Sequence, residues 1–109
     1  MYKLEFSDTF DHDLDAAVNY IETEYLSNYV EENLFLDLHK KLFQIKYLPY
    51  SRTLIEDQFF GELGYRLISV KKYLLFYKVL EDIKIIKIAR FIHSSRDWRS
   101  FVMDDLITE

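Results

Sequence analysis

The sequence predicts an α+β domain of order β-α-α-β-β-β with a short C-terminal helix, built as a helical hairpin packed on one face of an antiparallel sheet. Three observations carry this expectation. Apolar side chains between residues 10 and 45 recur at steps of three and four, the helical period. Residues 65 to 93 are instead dense in Ile, Val, Leu, Tyr and Phe with two-residue polar interruptions, the mark of short strands. Between the two blocks stands Pro49, the single proline of a 109-residue chain.

Taken in order, Tyr2, Leu4 and Phe6 alternate with Lys3 and Glu5, which places the apolar three on one face of a short strand. Ser7 or Asp8 supplies a helix cap, and Phe10, Leu14, Val18, Ile21 and Tyr25 then form an amphipathic stripe with Ala17 on its flank. Asp11, Asp13, Asp15, Glu22 and Glu24 take the rest of that helix. After Leu26-Ser27-Asn28, the spacing of Asn28 and Glu31 suits a capping box, and Leu34, Leu38, Leu42 and Ile45 repeat the period until Pro49 stops it. So short a connection folds the two helices into an antiparallel hairpin. Residues 49 to 62 read as a loop, closed by Gly61 and Gly64. Strands over Tyr65–Val70, Tyr73–Leu80 and Ile83–His93 follow, joined by Lys71-Lys72 and Glu81-Asp82, and connections of two residues make neighbours antiparallel. Arg96 to Val102 reads as a terminal helix with Trp98 and Phe101 or Val102 facing inward.

Composition narrows the function. Half the residues are apolar and 17% aromatic, enough for one core in 109 residues, so 1–109 is read as a single domain. The absence of cysteine removes disulfides, thiolate metal sites and a thiol nucleophile, and suits a reducing compartment. MYKLEFSDTFDHDLD lacks the pattern of a secretory leader, and no apolar run approaches the ~20 residues of a membrane span, so the expectation is a soluble cytoplasmic protein with no membrane partner. The net charge of -5 hides an asymmetry. Residues 1 to 62 hold 5 Lys/Arg against 13 Asp/Glu, whereas residues 63 to 99 hold 9 against 3. Such halves neutralise each other or offer a basic face to an anionic partner. His12 and His39 have no further ligand at metal spacing, so neither metal nor cofactor is expected. No phosphate loop or nucleophile elbow is present.

The run YRLISVKKYLLFYKVLEDIKIIKIARFIHSSRD at residues 65 to 97 resembles the RelE/ParE toxin family. The resemblance lies in Tyr65-Arg66 opening one strand, in Tyr73 through Phe76-Tyr77, and in His93 through Arg96-Asp97. Asp13-Leu14, Tyr20-Ile21 and Pro49 extend it loosely over the first half. It implies the toxin of a type II toxin–antitoxin pair, associated with growth inhibition and plasmid stabilisation. Its partner is then a small cognate antitoxin with a DNA-binding N-terminal half and a C-terminal half that folds around the toxin. Family members work in two ways. ParE-like members poison DNA gyrase, and RelE-like or YoeB-like members cleave ribosome-bound mRNA with Lys, Arg, His, Glu and Tyr. Where those nucleases carry a catalytic Arg this chain has Leu74, and where RelE-like members carry lysines it has Tyr65 and Leu67. The departures favour the ParE-like alternative.

The candidate residues divide accordingly. His93, Arg66 and Arg90 are the catalytic set if the protein is a nuclease, because an imidazole serves as acid or base near neutrality and arginines hold phosphate. Structural alternatives stand beside each: His93 hydrogen-bonded to Asp97 or a backbone carbonyl at the start of the last helix, Arg66 paired with Asp13 or Glu62. On a regular strand Arg90 shares its face with Lys84, Ile86, Ile88 and Ile92 and lies opposite His93, so uniting the two requires a bulge or a twist. Arg96, Arg99 and Trp98 are target-binding candidates, with a solvated helix face as the alternative for the arginines. Tyr73, Leu75 and Tyr77 are antitoxin-binding candidates, since the meander is apolar on both faces and a hairpin covers only one.

Overall fold

The computed structural model describes residues 2–25, 28–52 and 61–99. Its elements are β1 (Lys3–Phe6), α1 (Asp8–Glu24), α2 (Asn28–Tyr47), β2 (Tyr65–Val70), β3 (Tyr73–Leu80) and β4 (Ile85–His93). The strands form one sheet of order β1-β4-β3-β2. The expected meander is present: β2 pairs antiparallel with β3, and β3 with β4. β1, however, lies parallel to β4, with Lys3 beside Ile85 and Phe6 beside Ile88, so the sheet is mixed rather than antiparallel. Tight turns set the sense of the other strands, but β1 reaches its neighbour only across both helices and two strands, and no local rule fixes its direction.

Ser7 starts α1. Its hydroxyl accepts from the Phe10 N–H (3.0 Å) and donates to the Ala89 carbonyl (2.7 Å), joining the helix cap to β4. The buried side of α1 is Phe10, Ala17 and Ile21, with Leu14 packed against the same cluster. Ala17 is therefore central rather than lateral, its small side chain allowing the helix to lie close on the sheet, while Tyr25 is exposed. α2 begins at Asn28, so this residue is within the helix, and the expected capping role falls at the edge of residues outside the description. Leu34, Leu38 and Ile45 are its buried side. α1 packs on β4 and α2 on β2. No helix among the described residues is long and apolar enough to cross a membrane.

β4 departs from expectation at two places. It starts at Ile85, because Glu81–Ile83 form a 3-10 turn closed by Lys84 in the left-handed region (φ 54°). Opposite Phe76 and Tyr77 the register shifts: Phe76 faces Arg90 but Tyr77 faces Ile88, which leaves Ala89 as an extra residue. The alternation reverses there. Ile86, Ile88 and Phe91 join Leu75 and Tyr77 in the cluster beneath the helices, while Ala89 and Ile92 join Tyr65 and Phe76 on the opposite face. That second face is not bare, for Trp98 lies on Phe76 with ring centroids 5.2 Å apart and Leu63, Leu67 and Leu74 pack around them. Helical conformation resumes at Trp98–Arg99, two residues later than the expected start at Arg96, and residues 100 to 102 of the expected terminal helix lie outside the described residues.

The end of the sheet away from His93 is tied by Glu81. Its Oε1 accepts from the Tyr2 hydroxyl (2.6 Å) and the Tyr50 hydroxyl (2.7 Å), and its other oxygen pairs with Lys84. Lys84 and then the two tyrosines hold the Glu81 carboxyl down to about 2, and the bond from Tyr50 to that carboxylate pushes the Tyr50 hydroxyl up to about 12. Because the folded carboxyl titrates below its ordinary value of 4.5, the linked stability is complete above about pH 4.5 and is lost as pH falls from there toward 2. Glu81→Gln is expected to lower the urea midpoint at pH 7, and the gap from wild type should close through that window. An equal gap at pH 3 and pH 7 would contradict the assignment.

Candidate functional site

Arg90 and His93 line one concavity, although the bulge at Ala89 precedes both and the regular register after it keeps them in opposite phases of β4. The Arg90 side chain reaches the helix side at the open edge of the strand, where it meets Asp13. This groove of about 590 Å³ runs between α1 and the end of β4, with Asp13, Tyr20, Tyr73, Arg90, His93 and Arg96 among its walls. A second concavity of about 380 Å³ adjoins it through Tyr20, Tyr73 and His93 and continues over Ile21, Tyr25, Val30, Lys71 and Lys72. The two make one open channel at the mouth of the helical hairpin, apolar on its floor and cationic at its rim.

Arg90 does not offer a free charge to this channel. Its Nε and an Nη donate to the Asp13 carboxylate at 2.7 and 3.0 Å, a two-point contact, and the same carboxylate accepts the Phe91 N–H at 3.0 Å. Asp13 is thus the helix-borne acid foreseen in the sequence, but it pairs with Arg90 instead of Arg66. β1 ends at Phe6, beside Ile88, so the edge of β4 beyond it lacks a strand partner, and Asp13 fills that place for Phe91.

His93 has a defined proton arrangement. Its Nδ1 accepts the Ser95 N–H at 3.1 Å and lies 2.7 Å from the Ser95 hydroxyl, so the ring proton of the neutral form is on Nε2. The imidazole closes the turn after β4. The expected alternative is a bond to Asp97 or a backbone carbonyl, whereas the partners found are the N–H and hydroxyl of Ser95. Its ring meets Tyr73 edge-on at 5.1 Å, and Tyr73 stacks on Phe91 at 4.8 Å. Burial pushes the Tyr73 hydroxyl up, so the floor of the channel remains neutral.

Arg66 lies elsewhere. It pairs with Tyr77 across the sheet, donates to the Arg52 carbonyl, and sits 5.0 Å over the Tyr50 ring. His93 pairs with Tyr73, four residues along β3, on the strand beyond. Strand geometry then separates the two backbones by about 13 Å along the sheet and about 10 Å across it. The expected set of His93, Arg66 and Arg90 is not brought together. Of the other expected residues, Arg96 lines the groove, Trp98 belongs to the second apolar face, and the Arg99 guanidinium lies 5.4 Å over the Trp98 ring. Tyr73 lines the channel, but Leu75 and Tyr77 are fully buried beneath the helices, where a partner meets them only by displacing a helix.

Sequence reasoning overlooked the channel's helical wall and its lysines. Tyr20 (52% exposed) and Tyr25 are aromatic residues on the solvent side of an acidic helix, a signal visible in the sequence. Lys71 and Lys72 read as turn residues only, yet the turn is fixed: Lys71 is left-handed (φ 52°), its N–H donates to Asp37 at 3.0 Å, and Lys41 bridges Asp37 and the Ser69 carbonyl. The Asp13 arrangement makes a quantitative expectation. Asp13→Ala takes the carboxylate from a guanidinium 7% exposed and from the Phe91 N–H, and should cost about 3 to 5 kcal/mol in chemical unfolding. Asp13→Asn, which keeps an acceptor for Phe91, should cost less. A loss below 1 kcal/mol for Asp13→Ala would show that α1 is held by other contacts.

Comparison with known proteins matches this fold to one family. Residues 4–98 match the family model for the ParE toxin of the type II toxin–antitoxin system, parDE. A solved structure described as a chromosomal ParDE TA system from P. aeruginosa superposes with a TM-score of 0.66 at 15% identity, over 85% of this chain and 96% of that one. Among curated proteins no relative matches. With the model spanning nearly the whole described chain, from β1 to Trp98, this protein belongs to the ParE toxin family of type II toxin–antitoxin systems.

Proposed function

We propose that the chain inhibits growth by acting on DNA gyrase, and that a cognate antitoxin silences it by laying a segment along the channel. The observation that carries the target is the dispersal of the cationic candidates. Phosphodiester cleavage requires a base, an acid and cations around one phosphate. Here Arg66 is held at the far end of β2, Arg90 is neutralised by Asp13, and the His93 Nδ1 accepts a backbone N–H. Leu74, at the position of the nuclease arginine, faces Ile92 in an apolar cluster. The antitoxin reading is supported by the channel's chemistry: Tyr20, Tyr25 and Val30 beside Lys71, Lys72 and Arg96 suit an acidic, amphipathic segment that orders on binding.

Purified toxin incubated with gyrase and supercoiled DNA is expected to accumulate enzyme-linked double-strand breaks, while the same preparation leaves mRNA intact in a translating extract. Codon-phased cleavage of ribosome-bound message, lost in His93→Ala, would replace this reading with that of an mRNA interferase. For the antitoxin, Tyr20→Ala is expected to weaken binding by about tenfold or more with little change in unfolding midpoint, as befits an exposed aromatic anchor. Unchanged affinity in calorimetry would move the antitoxin off this channel.

A further inference from the structure

The side of α2 turned away from the sheet also carries a line of large apolar side chains, flanked by charges. Tyr29, Leu36 and Phe43 are 71%, 68% and 65% exposed, and Tyr47 completes the stripe with its ring 4.5 Å from Phe43. Two turns separate Tyr29 from Leu36 and Leu36 from Phe43, so the three form one line opposite the buried Leu34, Leu38 and Ile45. A helix apolar on both sides is the pattern of one buried on both sides.

The stripe is also self-complementary. Counted from Leu36, Tyr29 and Phe43 stand seven residues to either side, and Glu32 and Lys40 four residues to either side, all of them exposed. Acidic Glu31 and Glu32 occupy the N-terminal half of the helix, basic Lys40 and Lys46 the C-terminal half. We infer that a second copy of this chain packs its α2 antiparallel across this stripe, about a twofold axis at Leu36. A twofold of this kind matches each residue to the one equally far on the other side of Leu36. Leu36 then meets Leu36, Tyr29 meets Phe43, and Glu32 of each copy meets Lys40 of the other. The helix dipoles oppose, which adds to the attraction. A parallel pair would set Glu32 against Glu32 and Lys40 against Lys40, which repel. The chain's charge of -5 opposes association in general, but α2 itself is balanced, with Glu31, Glu32 and Asp37 against Lys40, Lys41 and Lys46.

The full chain is expected to sediment as a dimer at micromolar concentration, and Leu36→Glu, which sets two carboxylates at the axis, as a monomer with unchanged circular dichroism. Glu32→Lys and Lys40→Glu should each weaken the dimer by about tenfold, and the double exchange should restore it. Because the chain has no cysteine, Leu36→Cys gives a single thiol, and mild oxidation should link two copies. Tyr29→Cys should not link, since 14 residues of helix, about 21 Å, part it from its counterpart. A monomer at every soluble concentration, a dimer that persists in Leu36→Glu, or equal linking of Tyr29→Cys and Leu36→Cys would each overturn the twofold.

Discussion

The Asp13 carboxylate fixes the relation of helix to sheet on which the rest of the molecule depends. β1 supplies an edge to β4 only as far as Ile88, and the two remaining needs of that edge, an N–H at Phe91 and a charge at Arg90, are both met by one side chain from α1. Six residues earlier, Ser7 joins the same helix to the Ala89 carbonyl. Two polar ties less than two turns apart determine both the position and the rotation of α1. A buried ion pair is a poor source of net stability against a well-packed apolar alternative, because desolvation offsets the attraction. What it supplies here is position, since a carboxylate with three donors has one geometry in which all are satisfied.

That position creates the channel. Rotation of α1 about its axis by the bonds at Asp13 turns Tyr20, two turns further on, toward Tyr73 and His93. The opposite wall is held by a second carboxylate used in the same manner: Asp37 of α2 takes the Lys71 N–H and the Lys41 ammonium, fixing the β2–β3 turn and with it the lysines at the rim. An acid on each helix thus organises a basic segment of the sheet. The charge asymmetry between the halves of the chain is in part internal neutralisation through Asp13 and Arg90, and in part the cationic rim of the channel.

Most of the elements were legible in the sequence because each follows from a local rule: period for the helices, two-residue polar breaks for the meander. What was not legible depends on partners far along the chain. The Ala89 bulge has no glycine to announce it, and Ile85-Ile86-Lys87-Ile88-Ala89-Arg90-Phe91-Ile92-His93 is apolar enough to be read in either phase, so the switch of face passed unseen. That omission set Arg90 in the phase of Ile86 and Ile88, which the bulge breaks; its place beside His93 depends instead on Asp13 of α1 at the strand edge. The parallel sense of β1 and the Glu81 cluster, which joins Tyr2, Tyr50 and Lys84, are likewise products of topology. For the candidate site, residue types were found more readily than directions: Tyr73 and Arg96 line the channel, whereas Leu75 and Tyr77, on the same strand and same phase as Tyr73, lie deeper under the helices and are closed to solvent.

The two helices of the hairpin present opposite surfaces to solvent, and the difference is informative. α1 turns outward Asp11, His12, Asp15, Asn19 and Glu22, as expected of a helix with water on that side. α2 turns outward Tyr29, Leu36, Phe43 and Tyr47, with its charges segregated by half. Both helices satisfy the same sheet, so the requirements of the monomer do not explain why one is amphipathic and the other is not. The channel draws Val30, Asn33 and Leu34 from α2, residues on the flank and inner side of that helix, and does not include Tyr29, Leu36, Phe43 or Tyr47. A segment seated in the channel and a second helix seated on the stripe therefore contact different residues of α2, and each interaction is open to change without disturbing the other.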